Sequence, residues 1–491
     1  MPDHISVTFL GTAAGKPSLT RNVSSLVVKL DSRLWVFDAG EGTQHQMMDP
    51  RCKLSMGKVQ KVFVTHMHAD HINGLPGLLC TISAGEGSAM PGETEERIEE
   101  AKEVPPTQIY GPSGLRLFLR TCLGLTQSIL SRPYVVHELL WPDEQPCSQA
   151  EADLHPSERE GRDFRMGEDG LWRDVVDEAE GEGVRVGAAP ILHTIRCISY
   201  LLHESARPLP IQPQLYIPAL KRPQNAAALA VEGVKNPLTL LSRLQTERQA
   251  ITLADGTVLE PPGLDPAGGR RIAICGDTYD ASGLLPLAHS ALSSSAAALP
   301  DYAARLFPSS SDPPPSSSPN DPVPLTSDYL DLLVHESTNA FLPDLDDSQS
   351  PSRPNPPSLS SVTDLARSHG HSTPQVAGAL ARRARARRLV LNHLSVKYPD
   401  PTSHRLAPPA SAEEAARRDN WREMLDAIEG QALEELAAGG EAQELGEEEK
   451  EGQRWRVKSA RDFWEVEVVR RDRLAGGGTT AKDVKGKKGK K

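Results

Sequence analysis

Short apolar runs, closed by Gly, Pro, Asp or Asn, set the pattern of this chain and predict a series of strands. Ile5 to Leu10, Ser25 to Leu30 and Leu34 to Phe37 come first, separated by Gly11 to Asn22 and by Asp31-Ser32. Val62 to Thr65, Val184 to Leu192, Arg271 to Cys275, Leu330 to Val334 and Leu389 to Asn392 read the same way, and order resumes at Gln108 to Tyr110 after a loop. Helices are expected after the Gly-rich turn Asp38 to Thr43, running through Met48, and over Leu115 to Leu123. A third should start at the cap Ser372-Thr373-Pro374 and run through Arg388, and a fourth fills the Ala, Glu and Leu stretch after Ala410. A last strand-like segment covers Phe463 to Val469.

Several of these strands end alike. Val62 to Thr65 breaks into His66, His68, Asp70 and His71, three imidazoles and a carboxylate within six residues. The later runs end at His193, at Gly276-Asp277, at His335-Glu336 and at His393. One such ending is usually chance; five in one chain predict a sheet sandwich that delivers ligands to a common rim. Alternate positions of an extended chain share a side, so His66, His68 and Asp70 are expected on one face, with His71 turned to a second ion.

Composition narrows the rest. The 491 residues are 38% hydrophobic but only 4% aromatic, with 41 prolines, which fits one sizeable globular domain over 1–475 carrying long disordered inserts. The inserts are placed at about 84–106, 142–182, 288–327 and 344–361, the second because Asp143 to Glu182 holds fourteen acidic residues against four basic. Residues 476–491 form a basic tail, read either as a solvated end or as a nuclear signal or RNA-touching arm. Net charge is −12, so attraction to a polyanion requires local basic patches. The six cysteines are scattered without a CxxC pair, which argues for a reducing compartment. The chain opens directly into a strand, and no run approaches the roughly 18 apolar residues a membrane span needs. It therefore reads as soluble, without membrane attachment, in the cytoplasm and/or nucleus.

Such a donor set suits zinc. The economical assembly puts His66, His68 and His193 on one ion, Asp70, His71 and His393 on a second, with Asp277 bridging. Paired zinc ions can hold both oxygens of an in-line displacement at phosphorus. The leaving oxygen needs a proton, for which His371 is the first candidate, beside a helix N-terminus and oriented by Glu336, with His369 its competitor. Asp38 either supports the cluster by accepting an imidazole N–H or serves as a turn carboxylate.

His66-Met67-His68-Ala69-Asp70-His71, His193, Gly276-Asp277-Thr278 and His393 together resemble the ligand motifs of the metallo-β-lactamase superfamily. Asp38 to Gln44, His335-Glu336-Ser337-Thr338 and Gly370-His371-Ser372-Thr373 are similar to motifs of one branch, ribonuclease Z, in its short form. The resemblance spans Ile5 to Leu79, Gln108 to Trp141, Val184 to Ala281, Tyr329 to Phe341 and Ala366 to Tyr398, with an echo in Ala460 to Phe463. It implies an α/β fold of the αββα sandwich type with a protruding flexible arm at about 205–265, two Zn2+ per subunit, a homodimer and precursor tRNA as substrate. It makes Asp70 a base and Glu336 with His371 the proton relay. The arm carries Lys221, Arg222, Lys235, Arg243 and Arg248, and of these Lys235, Arg243 and Arg248 are the expected RNA contacts. The family's Gly-Pro in the arm is Asn236-Pro237 here, tolerable because Asn accepts left-handed backbone. The implied reaction removes a 3′ trailer by hydrolysing the phosphodiester 3′ of the discriminator base. The alternative is a dinuclear zinc hydrolase of a small thioester, lactone or cyclic nucleotide.

Overall fold

The computed structural model of the protein describes residues 1–84, 103–234, 236–265, 268–289, 330–438 and 456–470. It divides into two compact units: a large one of 2–203 and 270–469, and a small one built on 204–269.

In the large unit nine strands form one sheet and seven another. The first runs, edge to edge, Glu465–Glu467, Ile5–Gly11, Ser25–Leu30, Arg33–Phe37, Val59–Phe63, Thr107–Pro112, Tyr134–Leu140 and Glu158–Arg159, with Phe164–Arg165 also on Tyr134–Leu140. The second runs Val457–Ser459, Leu389–Asn392, Leu332–Glu336, Arg271–Cys275, Cys197–Glu204, Val184–Ile191 and Trp172–Val176.

Side-chain alternation builds the layers. Val7, Phe9, Val28, Trp35 and Phe37 meet Tyr200, Ile272, Ile274, Val334 and Val390 in one core between the sheets. Their neighbours Leu10, Val27, Leu34 and Val36 point outward, into a core completed by Leu75, Leu78, Leu115 and Leu119 of the helices Leu75–Ala84 and Leu115–Leu125. On the far side Ala273, Leu333 and Leu391 pack on Ala377, Leu380, Ile428 and Ala432 of Pro374–Arg383 and Ala412–Ala437. Each central strand is thus buried on both faces, which is why its sequence is an apolar run. The result is the expected αββα sandwich. Parallel pairing of Arg33–Phe37, Val59–Phe63 and Thr107–Pro112, and of Arg271–Cys275, Leu332–Glu336 and Leu389–Asn392, sets neighbouring strand ends side by side.

Four expectations need correction. The acidic stretch 142–182 is no solvated insert. Trp172–Val176 edges the second sheet, and Trp172 is buried, edge-to-face on Trp141 with ring centroids 4.6 Å apart. Its acids are counterions: Asp163 lies 2.8 Å from the fully buried Arg116, and Glu158 lies 2.6 Å from Arg120. In 344–361, Ser and Pro composition misled as well. Gln349 is buried, donating to the Ala340 carbonyl at 2.9 Å and accepting from Leu342 N at 2.8 Å. The helix expected through Arg388 ends at Arg383, because Arg385 takes left-handed backbone (φ 53°). Its N-terminus has no side-chain cap; Ser372 Oγ donates to the Thr278 carbonyl instead. Most of the expected inserts 84–106 and 288–327, the tail 476–491 and Lys235 lie outside the described residues.

The small unit, where the arm was expected, has its own core of Leu220, Leu229, Leu240, Leu244 and Leu259 from three short helices and a two-stranded hairpin. The Asn236 side chain accepts from Leu238 N at 3.1 Å and closes the turn before Thr239–Thr246. Arg243 and Arg248 are exposed, Arg243 within 3.3 Å of Glu247, while Arg222 is paired with Asp255 at 2.7 Å.

Candidate metal centre

Five strand ends converge. His66 follows Val59–Phe63, His193 follows Val184–Ile191, Asp277 follows Arg271–Cys275, Glu336 closes Leu332–Glu336 and His393 follows Leu389–Asn392. The chain stays extended only as far as His68, which is the N-cap of the helical turn Ala69–Ile72. Asp70 therefore does not share a face with His66 and His68, as extended geometry predicted; it turns with His71 toward His393. Two donor groups result, His66, His68, His193 and Asp277 in one, and Asp70, His71, His393 and Asp277 in the other, each with its donor atoms within 4.8 Å of one another. The fold brings all seven of these residues together.

The hydrogen-bond network fixes where the ring protons lie. His71 Nδ1 faces Asp38 Oδ2 at 2.7 Å, and His193 Nδ1 faces the Gly370 carbonyl at 2.7 Å, so both carry hydrogen on Nδ1. Thr65 Oγ1 donates to Asp38 at 2.8 Å and so accepts from His66 Nδ1 at 3.0 Å. Thr338 Oγ1 donates to Glu336 at 2.5 Å and accepts from His393 Nδ1 at 3.1 Å. Four Nε2 lone pairs consequently point inward. His66 Nε2 and His193 Nε2 each lie 3.1 Å from His68 Nδ1, and His71 Nε2 lies 3.3 Å from His393 Nε2. Bare lone pairs at that separation repel unless a cation sits between them. Around tetrahedral zinc, with bonds of about 2.0–2.1 Å, neighbouring nitrogens lie about 3.3 Å apart, so the donor set fits such an ion. Asp277 suits the bridging place, with Oδ1 3.3 Å from His71 Nε2 and Oδ2 3.3 Å from His393 and 3.7 Å from His66.

Electrostatics agrees. Burial, reinforced for His66 by its imidazole neighbours, holds His66, His68 and His193 below the ordinary histidine range, in the neutral form a metal needs. Burial also acts on His71, but Asp277 and Asp38 outweigh it and raise its pKa well above the ordinary value, so its Nε2 lone pair favours a cation, whether a proton or a metal ion. A dication takes over the role of this proton. Burial would raise Asp277, yet His393 and His71 keep it ionised.

Beside the pair stands His371, its side chain 20% exposed where those of His66, His71, His193 and His393 are 3% exposed or less. Its Nδ1 lies 3.1 Å from Glu336 Oε1. Burial opposes its charge, but the Glu336 hydrogen bond and charge prevail and lift it to about 9. Glu336 itself accepts from Thr278 N at 2.6 Å, Thr338 Oγ1 at 2.5 Å and Ser372 N at 3.1 Å; with His371 and His393 it makes a third group of donor atoms within 4.8 Å of one another, but these hydrogen bonds already engage both its oxygens. His369, the competitor, is exposed and tied to its own helix through the Leu365 carbonyl at 2.9 Å. Asp38 is resolved as a support of the cluster, not a mere turn residue. Sequence reasoning missed Thr65, Thr338, Gly15, whose N–H donates to Asp70 Oδ2 at 2.7 Å, and the Gly370 carbonyl. Thr65, Thr338 and Gly370 were signalled only by adjacency to a site motif, and Gly15 by nothing but its place in the first Gly-rich break.

Among known proteins, a family model described as anti-Pycsar protein Apyc1 matches residues 5–87. Zinc phosphodiesterase ELAC protein 1 of Bos taurus is 33% identical over 403 residues, 80% of this chain and 87% of that one. Ribonuclease BN of Cronobacter sakazakii is 32% identical over 400 residues, 80% of this chain and 90% of that one. The crystal structure of human tRNase Z, short form, is 27% identical, covers 80% of this chain and 93% of that chain, and superposes with a TM-score of 0.44.

Proposed function

The chain belongs to the ribonuclease Z family, with zinc phosphodiesterase ELAC protein 1 and ribonuclease BN among its relatives, and from that premise we propose that it removes 3′ trailers from precursor tRNA. It is a zinc-dependent endoribonuclease that hydrolyses the phosphodiester 3′ of the discriminator base. The carrying observation is the pair of donor groups sharing Asp277, with a protonated histidine at its side.

We place two zinc ions per subunit, one on His66, His68 and His193, the other on Asp70, His71 and His393, with Asp277 between. Zinc bound there supplies Lewis-acid charge at the phosphate and acidifies the attacking water. Asp70 receives the proton of that water as its oxygen bonds to phosphorus. The bond from phosphorus to the discriminator O3′ breaks, and His371 gives its Nε2 proton to that oxygen while Glu336 holds Nδ1. The products are a 3′-hydroxyl on the tRNA and a 5′-phosphate on the trailer. Arg243, Arg248 and Lys235 are assigned to the RNA backbone outside the site. The same reading takes the protein to act as a homodimer, and its scattered cysteines favour a reducing compartment, the cytoplasm and/or nucleus. Among the described residues no helix is long and apolar enough to cross a membrane.

The test is cleavage of one trailer-bearing precursor tRNA by the zinc-loaded protein, with both product ends mapped. A single cut after the discriminator base with those termini is expected; intact substrate overturns the reading.

A further inference from the structure

We propose that Tyr279 and Arg367 form a stacking shelf for an unpaired nucleotide flanking the scissile phosphate, an inference that rests on the RNA-cleaving reading above. Tyr279 comes two residues after Asp277. Its backbone is strapped to the strand that delivers His193: Tyr279 N donates to the Leu192 carbonyl at 2.9 Å, and Leu192 N donates to the Asp280 carbonyl at 3.0 Å. Arg367 sits in the last turn of Leu359–Ser368, the helix that leads through Gly370 into His371, and the Gly370 carbonyl holds His193. Both residues thus belong to segments that hold His193, one through the Leu192 backbone and the other through the Gly370 carbonyl.

The guanidinium carbon of Arg367 stands 5.3 Å from the centre of the half-buried Tyr279 ring. Arg367 is exposed, and among the described residues neither its guanidinium nor the Tyr279 hydroxyl has a hydrogen-bonding or ion-pair partner. An unsatisfied guanidinium resting on a ring beside a phosphodiester-cleaving centre has the chemistry single-stranded RNA requires. The ring and the guanidinium plane stack on any base, and the free N–H groups reach the adjoining phosphate. The strapping matters because a stacked base fixes its own phosphate, and a shelf tied to the His193 strand sets that phosphate relative to the metal ligands.

The zinc-loaded protein and its Tyr279→Leu, Tyr279→Phe, Arg367→Ala and Arg367→Lys variants are compared on three substrates: a precursor tRNA, the same RNA abasic on either side of the cut, and bis(p-nitrophenyl) phosphate. Tyr279→Leu and Arg367→Ala should raise KM for the intact RNA about tenfold, and Tyr279→Phe and Arg367→Lys should restore most of it. On one of the two abasic RNAs wild type and Tyr279→Leu should converge, and turnover of the small diester should not change. A small-diester loss as large as the RNA loss would mean a purely structural role and overturn the shelf, as would an undiminished difference on both abasic RNAs. If wild type leaves the intact RNA uncut, the proposed function fails first, and that result is distinct from any variant difference.

Discussion

Gly370 shows how tightly single residues are bound to the metal centre. It sits at φ 83°, and a Cβ there would lie 2.5 Å from His193 Nδ1, the atom its own carbonyl holds. Gly370→Ala should therefore displace His193 and lower zinc affinity by about 10–100-fold, the usual cost of losing a ligand's outer partner, as read by competition with a chelator. His371 carries a second prediction. Its pKa is raised to about 9, so the proton it donates is present at neutral pH and lost as pH rises through that value. The basic limb of kcat/KM should fall near there, and Glu336→Gln should move it down toward the ordinary histidine value of about 6.5. A limb in Glu336→Gln unchanged from wild type would remove Glu336 from the relay. Site residues on this scale were legible because metal ligands are rare side chains at strand ends. Thr65 and Thr338 were not, since a threonine beside a histidine is ordinary until its proton is traced.

Elements built on two buried faces announce themselves as apolar runs, and most of these strands were read to within three residues, although the equally buried Tyr134–Leu140 and Cys197–Glu204 were passed over. The polar edges were not. Glu158–Arg159 and Phe164–Arg165 join the first sheet through the ion pairs of Arg116 and Arg120, an arrangement no hydrophobic period reports. Trp172 should expose the consequence. It is 1% exposed and donates to the Leu140 carbonyl at 3.2 Å, so Trp172→Ala should cost about 3–5 kcal/mol by denaturant unfolding, whereas a disordered insert would lose nothing. His137, on Tyr134–Leu140, gives the sheet a pH signature. Burial and then Arg162 depress its pKa to about 4, with Nδ1 accepting from Arg162 N at 2.8 Å and Nε2 donating to Gln108 at 2.7 Å. The unfolded chain takes up this proton from about pH 6.5 downward and the folded one only near 4, so stability falls across that window by up to about 3 kcal/mol. His137→Gln should flatten that part of the pH–stability curve; an unchanged slope would mean another group sets it.

For the whole molecule the issue is how a chain of net charge −12 handles a polyanion. Arg243 and Arg248 lie in the small unit, and part of the charge of Arg243 is already answered by Glu247. Replacing Glu204–Gly269 by a short linker should raise KM for precursor tRNA at least about tenfold and flatten its salt dependence, while sparing a small phosphodiester. Equal loss of both activities would make this unit part of the catalytic fold instead. The central claim, however, is that inward-facing lone pairs on separate strand ends enclose a pair of cations. Anomalous diffraction at the zinc edge from crystals of the metal-loaded protein tests it most directly. Two peaks about 3.5–4 Å apart, flanking Asp277, are predicted. A single peak, or zinc bound away from His66, His193 and His393, would contradict the account.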